Sequence, residues 1–184
     1  MQPFNPMPTR FRLVLICLAL PALFWACGNP FAPGLADGTE NGGSILTDQG
    51  SPAEVLTNFR YAYTFKDSLV YSEILDSAFL FVSTNFNVTP PEAIVWGRDR
   101  ELRTVGRMFR FFNTLDLTFG SPTAVRVLDT LATGEPRRME EKLTFTLTLD
   151  GGSAIPALIG EVLFEFILRN DGRWYLIRWE DLQS

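Results

Sequence analysis

The stretch EVLFEFILRNDGRWYLIRWED, residues 161–181, constrains the fold of this chain more than any other. Two runs of aromatic and β-branched residues flank Asp171-Gly172, a favoured two-residue hairpin turn, so an antiparallel hairpin is expected here. Centring the turn on those two residues places Arg169 opposite Trp174, Ile167 opposite Leu176, Glu165 opposite Arg178 and Leu163 opposite Glu180 on one side of the sheet. The other side holds Leu168 with Tyr175, Phe166 with Ile177 and Phe164 with Trp179. That second side is almost wholly apolar and is expected to be the buried one. Glu165 and Arg178 then form an outward cross-strand ion pair, of a kind worth under about 1 kcal/mol.

Two further stretches alternate with the period of a strand buried on one face. LDLTF sets Leu115, Leu117 and Phe119 against Asp116 and Thr118, and KLTFTLTL sets Leu143, Phe145, Leu147 and Leu149 against threonines. Helical signals come earlier in the chain. Ser51-Pro52-Ala53-Glu54 is a capping box with proline at the first helical position, and Val55, Leu56, Phe59, Ala62 and Tyr63 fall on one stripe. A helix is expected from about Pro52 to Phe65, then a second short one in DSLVYSEILDS with Tyr71, Ile74, Leu75 and Ala78 on one face. AFLFVSTNF reads as a strand. Thr89-Pro90-Pro91-Glu92 repeats the capping-box pattern and is expected to open a turn of helix leading into VWGRDRELRTVGRMFRFF. There Leu102, Val105, Phe109 and Phe112 share one side and Arg100, Arg103, Arg107 and Arg110 the other. The arginine side suits anionic lipid headgroups; the alternative is a solvated face paired with local acids.

Composition excludes several functions. Beyond residue 26 the chain carries 14 basic and 21 acidic residues, a formal charge of −7, which opposes nucleic-acid backbones. Histidine is absent, and both cysteines, Cys17 and Cys27, precede residue 28. Neither a metal site nor a cofactor is expected, since a zinc site would need carboxylates alone. Asp67 and Asp76 flank the short helix as turn or cap residues. Asp99 falls in the first turn of the third helix, where the helix dipole favours negative charge.

The order of helix, short helix, strand, amphipathic helix and four antiparallel strands closing on DGRWYLIRWED resembles the NTF2-like superfamily over residues 51–184. The resemblance implies an α+β cone: three N-terminal helical segments packed on a curved antiparallel sheet, with a pocket at the wide end. A lipocalin-like or cystatin-like arrangement is the alternative. The superfamily holds isomerases, dehydratases, cyclases and epoxide hydrolases beside members that only bind ligands or assemble with partners, so fold does not settle function. Its enzymes typically carry an aspartate inside the cone. The expected inward strand faces here carry no carboxylate, so no catalytic residue is assigned and binding without catalysis is favoured. The aromatic residues available to line a pocket are Tyr63, Trp96, Phe109, Phe112, Phe164, Phe166, Tyr175 and Trp179, and they serve equally well to fill the cone. A hydrophobic small molecule, a protein partner or a second copy of the chain are the expected occupants. An acid inside the cone would instead indicate an isomerase, dehydratase or hydrolase.

At the N-terminus, Arg10 and Arg12 precede the apolar run Leu13–Cys27 of 15 residues, shorter than the roughly 17–25 of a spanning helix, in the order of a secretory leader. Phe24-Trp25-Ala26-Cys27 resembles the lipobox of bacterial lipoproteins. That resemblance implies a leader over residues 1–26, a lipid on Cys27 and a cell-envelope location. Gly28-Asn29 resembles the start of outer-membrane lipoproteins that face the periplasm. Residues 27–50, rich in glycine and proline, are expected as a flexible tether, with an r.m.s. reach of roughly 25–30 Å.

Overall fold

The first helix forms where the capping box places it. In the computed structural model, which describes residues 45–152 and 154–182, α1 spans Pro52–Phe65. Ser51 Oγ accepts from the Glu54 amide at 3.3 Å, and the Glu54 carboxylate reaches back to the Gly50 amide at 2.8 Å. Val55, Phe59, Ala62 and Tyr63 are buried in the core. Helix α2 (Ser68–Ile74) is capped by Asp67, which accepts from the amides of Leu69 and Val70. The face expected to continue through Leu75 and Ala78 stops at Ile74. Leu75 opens strand β1 (Leu75–Asn85), and Ala78 is exposed.

The second capping-box pattern does not start a helix. Residues Glu92–Gly97 form β2, antiparallel to β1, because Ile94, Val95 and Trp96 are strand formers that find a partner edge. Helix α3 (Arg98–Phe111) begins only after Gly97. Its faces are those the helical wheel gives: Val105 and Phe109 are buried, while Arg100, Arg103, Arg107 and Arg110 are exposed.

The remaining strands are β3 (Leu115–Phe119), β4 (Ala124–Thr130), β5 (Pro136–Leu149), β6 (Leu158–Leu168) and β7 (Trp174–Leu182). The sheet runs β2-β1-β7-β6-β5-β3, and β4 shares with β3 the outer edge of β5. All pairs are antiparallel except β1 with β7, so the sheet is mixed, not wholly antiparallel as expected. These two strands are joined through most of the chain, so no hairpin dictates their relative direction. Gly160 on β6 gives room to the Phe145 ring on β5: a Cβ there would lie 2.7 Å from that ring.

The closing hairpin corrects the expected register in its upper half. The Arg169 amide donates to Arg173 O and the Gly172 amide to Arg169 O, so the loop is Asn170-Asp171-Gly172 with Gly172 at φ 79°. This is a three-residue loop ending in a left-handed glycine. Near it, Leu168 faces Trp174, Ile167 faces Tyr175 and Phe166 faces Leu176. A bulge at Ile177 then restores the expected Glu165–Arg178, Phe164–Trp179 and Leu163–Glu180. Trp174 and Leu176 therefore point inward and are buried, and Tyr175 points outward.

The side-chain pairing on the outer face also differs from expectation. Glu165 accepts from Arg138 of β5, with Nε at 2.6 Å, while Arg178 bonds Glu180 at 2.7 Å. β5 starts earlier than its threonine run suggests, and so supplies the nearer guanidinium. Asp76, expected as a turn or cap residue, is buried in β1. It holds Arg169 through two bonds of 2.6 Å and accepts from the Ala78 amide at 2.8 Å.

The end of the segment expected as tether is docked onto this fold. The Thr47 amide donates to Asn58 Oδ1 at 2.8 Å. Gln49, 1% exposed, exchanges bonds with the Trp174 backbone: its Nε2 donates at 3.0 Å and its carbonyl accepts at 2.8 Å. Residues 1–44, which include the expected leader, Cys27 and most of the expected tether, lie outside the described residues.

Two outcomes are expected from these contacts. Gly172→Ala forces a left-handed Cβ and costs about 1–2 kcal/mol, read from a chemical-denaturation midpoint. Arg169→Ala strands the buried Asp76 carboxylate and costs about 3 kcal/mol, more than Asp76→Asn. Burial pushes the Asp76 carboxyl up, but the Arg169 and Ala78 hydrogen bonds and the Arg169 and Arg98 charges outweigh it and hold it below its ordinary 3.8. Its contribution is thus complete above that value and is lost as pH falls through the lowered folded value. Acid unfolding of the Arg169→Ala variant should begin from a lower plateau and lack that component.

Candidate functional site

α1 lies in the concavity of the sheet, and Phe59, wholly buried, is the ring the others surround. Its centroid lies 5.1 Å from Tyr63, 5.3 Å from Tyr71, 5.5 Å from Phe119, 5.7 Å from Trp179 and 6.0 Å from Phe164. Tyr63 in turn meets Phe109 edge-on at 5.3 Å. A row of residues crosses the concave face strand by strand. Glu141 of β5 lies opposite Phe164 of β6, which faces Trp179 of β7, which faces Phe81 of β1, which faces Trp96 of β2. Phe81 and Trp96 stack at 4.0 Å.

Most of the aromatic residues singled out from the sequence thus come together. Tyr63, Phe109, Phe164 and Trp179 join the Phe59 cluster, Phe166 meets Phe164 at 6.1 Å, and Trp96 joins through Phe81. Phe112 packs at the rim, edge-on to Phe111. Tyr175 stands apart. Its hydroxyl donates to Asp171 at 2.6 Å on the outside, where with Arg98, Arg173 and Ser72 it lines an open cleft of about 460 Å³. A neighbouring cleft of about 490 Å³ lies between β1 and the start of α3, lined by Asp99, Arg100 and Arg103 among others.

Two acids sit inside the cone where none was expected. Glu101, on α3, is 3% exposed; it accepts from the Tyr71 hydroxyl at 2.7 Å and from Trp96 Nε1 at 2.6 Å. Tyr63 meets Tyr71 ring to ring at 5.7 Å, and a polar line Tyr71–Glu101–Trp96 runs through the ring cluster. Burial pushes the Glu101 carboxyl up, only partly offset by the Trp96 and Tyr71 bonds. Burial also drives Tyr63 and Tyr71 far above the usual phenol range, with Glu101 adding to both.

The second acid, Glu141, shares the inward face of Leu143. It is 8% exposed, is pushed up by burial, and has no hydrogen-bond or ion-pair partner among the described residues. Trp179 Nε1, on the same row, is buried without a partner among the described residues. Both acids were legible. Glu101 stands at i, i+4, i+8 with Val105 and Phe109, and Glu141 extends the period-2 series of Leu143 backwards past the strand start taken at Lys142. Among the described residues no cluster of three or more Asp, Glu, Cys or His could hold a metal ion.

No protein-family profile matches this sequence, and no curated protein matches it. Solved structures do resemble its fold. A provisionally assigned scytalone dehydratase from Novosphingobium aromaticivorans superposes with a TM-score of 0.55 at 13% identity, over 72% of this chain and 80% of that one. An NTF2-like protein of unknown function from Pseudomonas putida gives 0.53 at 7% identity, over 70% and 81%. A similar protein from Shewanella oneidensis gives 0.51 at 12% identity, over 70% and 93%. Three helices on a curved, open sheet and these likenesses together give the architecture: this chain carries an α+β domain of the NTF2-like fold.

Proposed function

We propose that this protein is a cell-envelope lipoprotein, anchored in the outer membrane through Cys27, whose NTF2-like domain binds a ligand or partner without catalysis. What supports the binding half is the state of Glu101. Both of its oxygens are taken, by Tyr71 and Trp96, and the rings around it leave it 3% exposed. A general acid or base must reach the proton it moves, and this carboxylate is closed off, serving to satisfy two buried donors. Partner contacts belong to the outside of the fold. The β4–β5 arm offers one surface: every residue of β4 is exposed, with Val125, Val127 and Leu128 among them. A hydrophobic small molecule, another protein or a second copy of this chain fits such a surface.

Glu141 favours a second reading. An inward, unpartnered carboxylate with a raised pKa, on the same row as the orphaned Trp179 Nε1, is the arrangement from which isomerase, dehydratase or hydrolase chemistry is built. In that reading Glu141, and not Glu101, is the acid.

Three substitutions separate these readings. Glu101→Ala strands two buried donors at about 1–3 kcal/mol each, whereas Glu101→Gln, whose amide oxygen can accept from Trp96 Nε1 while its NH2 donates to the Tyr71 hydroxyl oxygen, keeps most of the stability. Failure of glutamine to rescue would argue for a role of the charge itself. For Glu141 the folded pKa is raised above the ordinary 4.5, so the folded state holds the proton more tightly and stability falls as pH rises through that window. Glu141→Gln should therefore melt higher than wild type at neutral pH and converge with it below about pH 4. The anchor is tested in cells fed an alkyne-tagged fatty acid: the label attaches to wild type and not to Cys27→Ala, and label on neither protein would overturn the lipoprotein reading.

A further inference from the structure

The four arginines on the outward side of α3 form no ion pair among the described residues. The six ion pairs among the described residues use Arg126, Arg137, Arg138, Lys142, Arg169 and Arg178, all on or beside strands. Arg100, Arg103, Arg107 and Arg110 take part in none of them, although acids outnumber bases 21 to 14 beyond residue 26. Arg100 lies over the Trp96 ring at 4.9 Å, which orients its guanidinium without neutralising it. The exposed side of the helix carries a single carboxylate, Asp99. From Arg100 to Arg110 the stripe is about 15 Å long. An acidic domain that leaves one helix face with four arginines against one carboxylate has separated its charges, and such a face complements an anionic surface.

Apolar side chains gather at the C-terminal end of the same helix. Phe111 is 78% exposed, Leu69 76% and Phe65 59%. They belong together because Lys66 Nζ donates to the carbonyls of Phe112 and Asn113, at 3.3 and 3.0 Å, holding the α1–α2 corner beside the end of α3. A cationic stripe ending in exposed Phe and Leu is the composition of a surface that rests in the headgroup region of a bilayer. The inward side of α3 is committed to the core through Val105 and Phe109. The helix would therefore meet a membrane with its arginine side, without leaving the domain.

We propose that this face of α3, with Phe111, Leu69 and Phe65 at its end, docks the domain onto anionic phospholipid headgroups of the membrane that carries its anchor. The proposal rests on the membrane-tethered reading above. Between Cys27 and Ile45 an extended chain reaches at most about 60 Å, so the tether permits the contact. Tethering also turns docking into an intramolecular step, for which a modest attraction suffices.

The test reconstitutes the full chain into vesicles of phosphatidylcholine alone or mixed with phosphatidylglycerol, and follows backbone hydrogen exchange by mass spectrometry. Flotation with neutral vesicles reports anchoring by itself, so failure of the anchor and failure of docking are read separately. Docking slows exchange in peptides covering residues 62–70 and 98–112 on anionic vesicles, leaves them unchanged on neutral ones, and is reversed near 1 M salt, where the screening length falls to about 3 Å. Arg107→Gln with Arg110→Gln should weaken the docking equilibrium by roughly fivefold per arginine. Arg126→Gln with Arg137→Gln, the same charge change on the β4–β5 arm, should leave it intact. Equal protection on neutral and anionic vesicles, or equal loss from the two double variants, overturns the proposal.

Discussion

The packing of aromatic rings around Phe59 is the constraint on which the rest of this structure depends. A sheet can close around a helix only if the helix presents bulk at the centre of curvature, and Phe59 presents it to both walls at once. Phe119 and Phe164 approach from one side and Trp179 from another, each in the tilted or edge-on geometry that ring quadrupoles favour. The curvature is served by irregularities in the strands. The bulge at Ile177 re-aims β7 so that Trp174 and Leu176 above it and Trp179 below it all face inward. A smaller concession lies at Gly160, where the absent side chain admits the Phe145 ring.

Polar groups inside that packing are handled in two ways. Along Tyr71, Glu101 and Trp96, donors and acceptors are matched, so the line ties α2, α3 and β2 together at little cost. At Trp179 Nε1 the donor is not matched among the described residues, and Glu141 makes no hydrogen bond or ion pair with them. A domain that resolves one buried carboxylate so fully and leaves another without a partner concentrates its chemical interest at the second. On the outer face ion pairs do the same work as the inner hydrogen bonds: Asp76 with Arg169 fixes the start of β1 to the closing hairpin.

The separation of charge belongs to the same architecture. Strand residues alternate, so the outer face of the sheet brings acids and bases from adjacent strands within reach, and six pairs form there or nearby. Among the described residues, the outward side of α3 is exposed. Its arginines therefore lie outside the ion pairs of the described residues for a topological reason, and the helix that closes the cone inside also carries a cationic surface outside.

Local pattern by itself determined a good part of this. The capping box at Ser51, the apolar stripe of α1, both faces of α3 and the alternation of β3 and β5 followed from periodicity and from residues at fixed offsets, which act within a turn or two of chain. The tertiary structure decided what depends on distant partners. Thr89-Pro90-Pro91-Glu92 has a helix-start pattern, yet the residues after it became a strand because β1 offered an edge. Asp171-Gly172 signalled a hairpin, but whether its loop holds two residues or three was settled by which rings could enter the cone, and this turned Tyr175 outward and Trp174 inward. Glu165 found Arg138 and not Arg178, and Glu141 was carried into the interior, because a strand's start and its neighbours are set by pairing across the sheet. Sequence fixes what each segment can bury; only the closed cone fixes which side chains meet.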